Sequence, residues 1–375
     1  MWRLLQRSCW TLNVRSVIVV GVARHLPVSN PQNRFESIQL EYDEGEAPDA
    51  ELEVYEDQSK SILATNDSPD VGFRWSVNPY RGCQHACSYC YARPSHEYLS
   101  LGAGTDFSRK IVVKKRAAEL LREAFDKRSW KGELIVFSGI TDCYQPLESK
   151  LRITRACLDV CAEYRNPVGI ITKSPVIERD VDVLQELART ARVRVSVSVP
   201  FWDAGVAKAL EPTVTTPERR MKIVETLAKA GIPVGVSVSP IVPGLNDEHL
   251  GDVLERARDA GARHAFYVLL RLPGAVKDVF EKSLHEHLPL RAEKVLRRLR
   301  EAHGGKVYDS SFGQRGRGSS VYTDAFRVLF ERTAKRCGLH SVEMDQYEAT
   351  ATEGRATFRR PAPRTTKTGQ TSFGF

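Results

Sequence analysis

Short runs of β-branched residues alternate with amphipathic stretches of helical length through the middle of this chain, and no other feature restricts its fold as tightly. The strand-like run 133–138 precedes a helix near 154–164, and 168–172 leads to 180–190. The same step recurs from 193–199 to 217–230, from 234–239 to 248–260, and from 266–270 to helices near 277–302. Pro217 suits a first helical turn, and Gly231 suits the position just past a helix. A further strand near 74–77 brings the total to about six β–α units. Such alternation specifies a parallel sheet covered by helices joined through right-handed crossovers. The expected fold is therefore α/β, a parallel, partial β/α barrel of about six units, with its site at the C-terminal ends of the strands.

One such strand end leads into Asn78-Pro79-Tyr80-Arg81-Gly82-Cys83-Gln84-His85-Ala86-Cys87-Ser88-Tyr89-Cys90-Tyr91. The cysteines follow the pattern C-x3-C-x2-C. Three thiolates this close can wrap one metal centre and leave a coordination position open. A closed zinc site needs a fourth ligand, which His85 or His96 could supply, although no second C-x2-C pair accompanies this one. The other cysteines are Cys9, Cys143, Cys157, Cys161 and Cys337. Three of the eight lie within eight residues, unlike the spacing of a secreted disulfide framework, so a reducing compartment is expected. Cys157 and Cys161 share one helix face and could join Cys143 in a second metal site; buried thiols acting as small hydrophobes are the commoner arrangement.

The ends of the chain have a different composition. Residues 1–35 hold five Arg and no acid, 36–58 hold ten acids and no Lys or Arg, and 351–375 hold five basic residues and one Glu. Of the formal charge of +8, this leaves +9 on residues 59–350, since 8 − 5 + 10 − 4 = 9. A basic core suits an anionic partner such as nucleic acid, or is a solvated surface. The expected organisation is a leader or early start over 1–28, an acidic arm over 29–64 and a core domain over 65–305. A C-terminal extension over 306–346 and a disordered basic tail over 347–375 complete it. The longest apolar run, 17–23, is far short of the roughly 20 residues that cross a bilayer, so no membrane partner is expected. Cytoplasm is the default location, or an organelle if 1–28 is a transit peptide.

C-x3-C-x2-C with an aromatic before the last cysteine resembles the signature of radical SAM enzymes. The likeness extends to Thr141-Asp142-Cys143-Tyr144-Gln145-Pro146, Thr172-Lys173-Ser174, Ala209-Leu210-Glu211-Pro212 and Ala230-Gly231-Ile232-Pro233-Val234-Gly235. It also covers Pro240-Ile241-Val242-Pro243-Gly244-Leu245-Asn246-Asp247 and Leu269-Leu270-Arg271-Leu272-Pro273. Over about 65–340 the combination is similar to radical SAM proteins related to spore photoproduct lyase, often called DNA repair photolyase-like.

The resemblance implies that Cys83, Cys87 and Cys90 hold a 4Fe-4S cluster whose free iron chelates S-adenosylmethionine. An electron from a flavodoxin- or ferredoxin-type donor would then cleave that cofactor to a 5′-deoxyadenosyl radical. Tyr89 would lie near the adenine. Ser138, Thr141 and Asp142 would approach the amino group, with Lys173 and Ser196 or Ser198 near the carboxylate and ribose. In spore photoproduct lyase a cysteine ending the second strand returns a hydrogen atom to the product. Gly139 takes that slot here, so Cys143 is the remaining candidate donor and Tyr91 the candidate radical relay. The Gly-rich basic loop Phe312-Gly313-Gln314-Arg315-Gly316-Arg317-Gly318 would contact a substrate phosphate or serve as a tight connection. Nucleic acid is the favoured substrate, with a peptide or small molecule competing. The alternative of another class is a non-catalytic zinc or Fe–S module that binds nucleic acid.

Overall fold

The computed structural model of the chain describes residues 30–35, 51–342 and 356–362, with the backbone of 18–20. Six parallel strands stand side by side in sequence order: β1 (Trp75–Val77), β2 (Ile135–Phe137), β3 (Val168–Thr172), β4 (Val193–Ser198), β5 (Val234–Ile241) and β6 (His264–Leu269). Leu63–Thr65 pairs antiparallel on the outer edge of β1, and His340–Ser341 pairs parallel with β6. The sheet stays open between these edges, a partial barrel as expected. Helices α1 (Ala117–Asp126), α2 (Ile153–Glu163), α3 (Val181–Thr190), α4 (Pro217–Lys229) and α5 (Leu250–Asp259) occupy the successive crossovers. After β6 come α6 (Val276–His287), α7 (Pro289–Ala302) and α8 (Val321–Arg336).

The local chemistry explains these elements. Ile135, Val136 and Phe137 are all buried, as a parallel strand covered on both faces requires. In α3 the buried Val183, Leu184 and Leu187 form one stripe, with Asp182 and Glu186 turned outward. Thr216 caps α4 by accepting a hydrogen bond from the Arg219 N–H at 3.3 Å, and Pro217 fills the first turn.

Two segments differ from expectation. Within the acidic arm, Leu52–Glu56 is a strand paired in parallel with Lys110–Val113, in a small second sheet. Leu52 and Val54 are its buried positions, so alternate apolar residues outweigh the acids between them. Within the basic tail, residues 356–362 dock on α1 and α2. The Phe358 ring lies 5.9 Å from that of Phe125 and 6.2 Å from that of Tyr164. Arg360 donates to the carbonyls of Phe125, Lys127 and Trp130, at the end of α1 and in the turn that follows it. The suggested leader lies outside the described residues except for the backbone of 18–20.

Candidate active site

The cysteine loop leaves β1 and is pinned from several sides. Gly82 has a φ of 79°, and a Cβ there would lie 2.8 Å from both the His96 ring and the Phe107 carbonyl, so only glycine fits. The Cys83 N–H donates to Phe107 O at 2.9 Å. Arg93, 1% exposed, spends its guanidinium on four carbonyls: Cys87 and Ala86 at 2.9 Å, Ala103 at 2.8 Å and Gly104 at 2.9 Å. Gln145 clamps the loop to the end of β2, accepting from Gln84 N at 2.9 Å and donating to Gly82 O at 3.2 Å. Neither Arg93 nor Gln145 is marked by the C-x3-C-x2-C pattern, although Gln145 lies in the shared 141–146 motif.

Cys83 and Cys87 are buried and Cys90 is half-buried. Burial, then the Glu211 carboxylate, pushes the Cys87 thiol up, against the opposing pull of Lys173. Burial and Cys83 do the same to Cys90, against the pull of Arg93. A strongly cationic centre bound among the three cysteines would deprotonate the thiols it takes as ligands. Among the described residues no three His, Cys, Asp or Glu side chains converge as ligands of a single ion.

The histidines do not complete a zinc site. His85 Nδ1 lies 3.3 Å from Asp142. Burial works to lower the His85 pKa, but the Cys83 sulfur and the Asp142 carboxylate outweigh it and raise it to about 10. His96 bonds the Lys110 carbonyl through Nε2 at 2.9 Å, and burial lowers its pKa to about 4. Cys143, Cys157 and Cys161 form no ligand group among the described residues; all three are fully buried in the main hydrophobic core.

A cavity of about 600 Å³ opens where the strands end, and Cys90 forms part of its wall. Tyr89, Tyr91, Ser138, Thr141, Asp142, Lys173 and Ser198 all line it. Several of their polar groups are already committed. Thr141 donates to Tyr80 O at 2.9 Å. Asp142 accepts from Lys173 N and Thr172 Oγ1 at 2.8 Å and from Tyr144 N at 2.9 Å. These two residues therefore shape the β2 turn around Ser138, which holds a left-handed φ of 73°.

Lys173 lies 4.0 Å from Glu211 and 5.9 Å from the centroid of the Tyr89 ring. Tyr89 donates its hydroxyl to Glu211, and buried Arg220 pairs with the other oxygen of the same carboxylate. Glu211 thus ties the cluster loop, β3 and α4 together. Its only sign in the sequence is its place in Ala209-Leu210-Glu211-Pro212.

Two candidates do not reach the cavity. Ser196 is fully buried one pleat below Ser198, with its hydroxyl 3.0 Å from His264 Nε2. Cys143 is turned beneath the loop: its N–H donates to Ser138 Oγ at 2.9 Å, and its carbonyl accepts from Thr154 at 2.6 Å. It therefore does not meet the cavity as a hydrogen-atom donor. Tyr91 does meet it, donating its hydroxyl to Gly139 O at 2.6 Å. In the basic loop Arg315 is tied to Asp70 and Ser68, which leaves that loop a structural connection at this residue.

This arrangement, cysteines after the first strand and a cavity across the strand ends, is that of the radical SAM superfamily, whose sequence profile matches residues 77–257. An uncharacterised protein of Mycobacterium tuberculosis is 35% identical over 243 residues, 63% of this chain and 72% of the relative. The chain belongs to the radical SAM superfamily, whose members are enzymes that use S-adenosylmethionine and an iron–sulfur cluster. An uncharacterised protein of Methanocaldococcus jannaschii is 28% identical over 198 residues, 53% of this chain and 71% of the relative. Among solved structures, spore photoproduct lyase complexed with dinucleoside spore photoproduct matches with a TM-score of 0.56 at 13% identity. That match covers 77% of this chain and 80% of the lyase, and shows a shared fold. Among the described residues no helix is long and apolar enough to cross a membrane.

Proposed function

We propose that this chain is a radical SAM enzyme in which Cys83, Cys87 and Cys90 hold a 4Fe-4S cluster beside S-adenosylmethionine. Together these groups supply reductive cleavage to methionine and a 5′-deoxyadenosyl radical that abstracts hydrogen from a substrate. Lys173 meets the carboxylate of the cofactor, and Ser198 meets its ribose. The Tyr89 ring, fixed by Glu211, packs beside the adenine. Arg93 and Gln145 hold the loop rigid, and the apolar walls exclude water. Tyr91, which follows Cys90 and lines the cavity, would relay the radical between cofactor and substrate. The electron comes from an external flavodoxin- or ferredoxin-type donor. Nucleic acid is the favoured substrate, supported by the basic core and by the fold shared with a lyase solved with a dinucleoside spore photoproduct.

The observation that carries this reading is the single cavity that Cys90, Lys173 and Ser198 line together. A metal-binding module with no reaction to perform has no need of it. The test is anaerobic reconstitution, followed by assay for 5′-deoxyadenosine after dithionite and S-adenosylmethionine are added. Iron and sulfide bound to the chain, with deoxyadenosine formed by the wild type and lost in Cys87→Ala, are expected. Bound zinc, or a loaded cluster that never cleaves the cofactor, overturns the proposal.

A further inference from the structure

The ends of β5 and β6 contrast with the rest of the cavity wall. Ser239 lies near the end of β5 and Arg271 just past β6, on adjacent strands held together here by Leu270 N donating to Ile241 O at 2.9 Å. Both residues line the cavity. Ser239 Oγ and Arg271 Nε are each buried and have no hydrogen-bond partner. Buried polar groups are paired in more than about nine cases in ten, and an unpaired one costs about 1–3 kcal/mol. Both side chains stand on neighbouring strand ends of one cavity, where a single ligand can meet them together.

The chemistry of that ligand follows from the donors. Arg271 makes no ion pair among the described residues. Its guanidinium instead lies over the Tyr91 ring, 5.1 Å from the centroid. The Tyr91 hydroxyl is in turn fixed on Gly139 O at 2.6 Å. The guanidinium is thus oriented without being neutralised, and such a planar fork matches the spaced oxygens of an oxyanion. Lys173, the cation placed near the cofactor carboxylate, stands on β3, with β4 and β5 between it and Arg271. Lys173 and Arg271 are therefore separate cationic positions in a wall that Arg315, Arg317 and Arg327 also line. Arg315 cannot replace Arg271, because Asp70 and Ser68 already engage it.

We propose that Ser239 and Arg271 form a phosphate receptor for the substrate, placing a phosphate-bearing group against Tyr91. The choice of phosphate rests on the nucleic-acid reading above; the receptor itself rests on the two unpaired donors. The test is phenylglyoxal labelling of arginine in the full-length chain, read by peptide mass spectrometry with Arg315 as internal reference. Inorganic phosphate at constant ionic strength is expected to slow labelling of Arg271 along a saturating curve, about tenfold at ten times its dissociation constant. Arg315 keeps its rate, and Ser239→Ala shifts the curve to higher phosphate. Unprotected Arg271, equal protection by acetate, or equal protection by S-adenosylmethionine alone each overturns the receptor. A single-stranded octanucleotide titrated in parallel separates the two proposals. Phosphate protection without octanucleotide binding keeps the receptor and removes nucleic acid as the substrate.

Discussion

The two walls of the cavity are built on opposite plans. Along β1 to β3 the groups that hold the cysteine loop are paired: Arg93 holds four carbonyls, Asp142 accepts three hydrogen bonds beside His85, and Gln145 bridges two segments of the chain. Along β5 and β6, Ser239 and Arg271 are left open. The difference teaches where each function belongs. A cluster and its cofactor must be held in one fixed geometry, so their wall is cross-linked internally. The wall facing a substrate that comes and goes keeps its donors free and bears the cost in stability.

Breaking the fixed wall is expected to have the largest effects. Arg93→Ala leaves four carbonyls without their donor and should cost about 4 kcal/mol or more. Urea unfolding should show that loss, and iron content after reconstitution should fall with it. Glu211→Gln keeps an acceptor for Tyr89 but leaves Arg220 buried without its counter-charge, at about 3 kcal/mol. Its second readout, the dissociation constant for S-adenosylmethionine, should rise as Tyr89 and Lys173 lose their common anchor.

A smaller effect tests the floor of the cavity. Burial lowers the His264 pKa to about 3, below the unfolded value of about 6.5. Stability from this group is therefore present above pH 6.5 and lost as pH falls toward 3, about 2 kcal/mol of it by pH 5. Unfolding measured from pH 7 to 4 should show a shallower loss for His264→Gln than for the wild type. Least of all, Ser196→Ala removes one hydrogen bond beneath the floor, at about 1 kcal/mol. Its affinity for S-adenosylmethionine should stay that of the wild type, whereas Ser198→Ala should weaken it. Equal losses in the two variants would contradict the depth assigned to them.

How much of this could be read from the sequence follows from the range of each interaction. The strands and the cysteine loop are legible because their signals are local: β-branched runs, a helical period and three thiols within eight residues. Ser196 and Ser198 share one strand face, so the resemblance could not choose between them; their different depths depend on how far β4 extends past its neighbours. Cys143 follows a turn whose direction is set by Ser138 and Thr154, eleven residues further along the chain for Thr154. Arg93 and the Glu211–Arg220 pair become meaningful only once distant segments meet. Leu52–Glu56 and the docked residues 356–362 are short elements inside charged stretches, where the charge of the flanking residues masks two or three buried apolar side chains.

The most direct test of the central claim is electron paramagnetic resonance of the reconstituted, dithionite-reduced protein, recorded before and after S-adenosylmethionine is added. A reduced 4Fe-4S signal that changes shape when the cofactor binds, and that is absent in Cys87→Ala, is the predicted result. A signal indifferent to the cofactor, or a colourless protein that takes up zinc in place of iron, would contradict it.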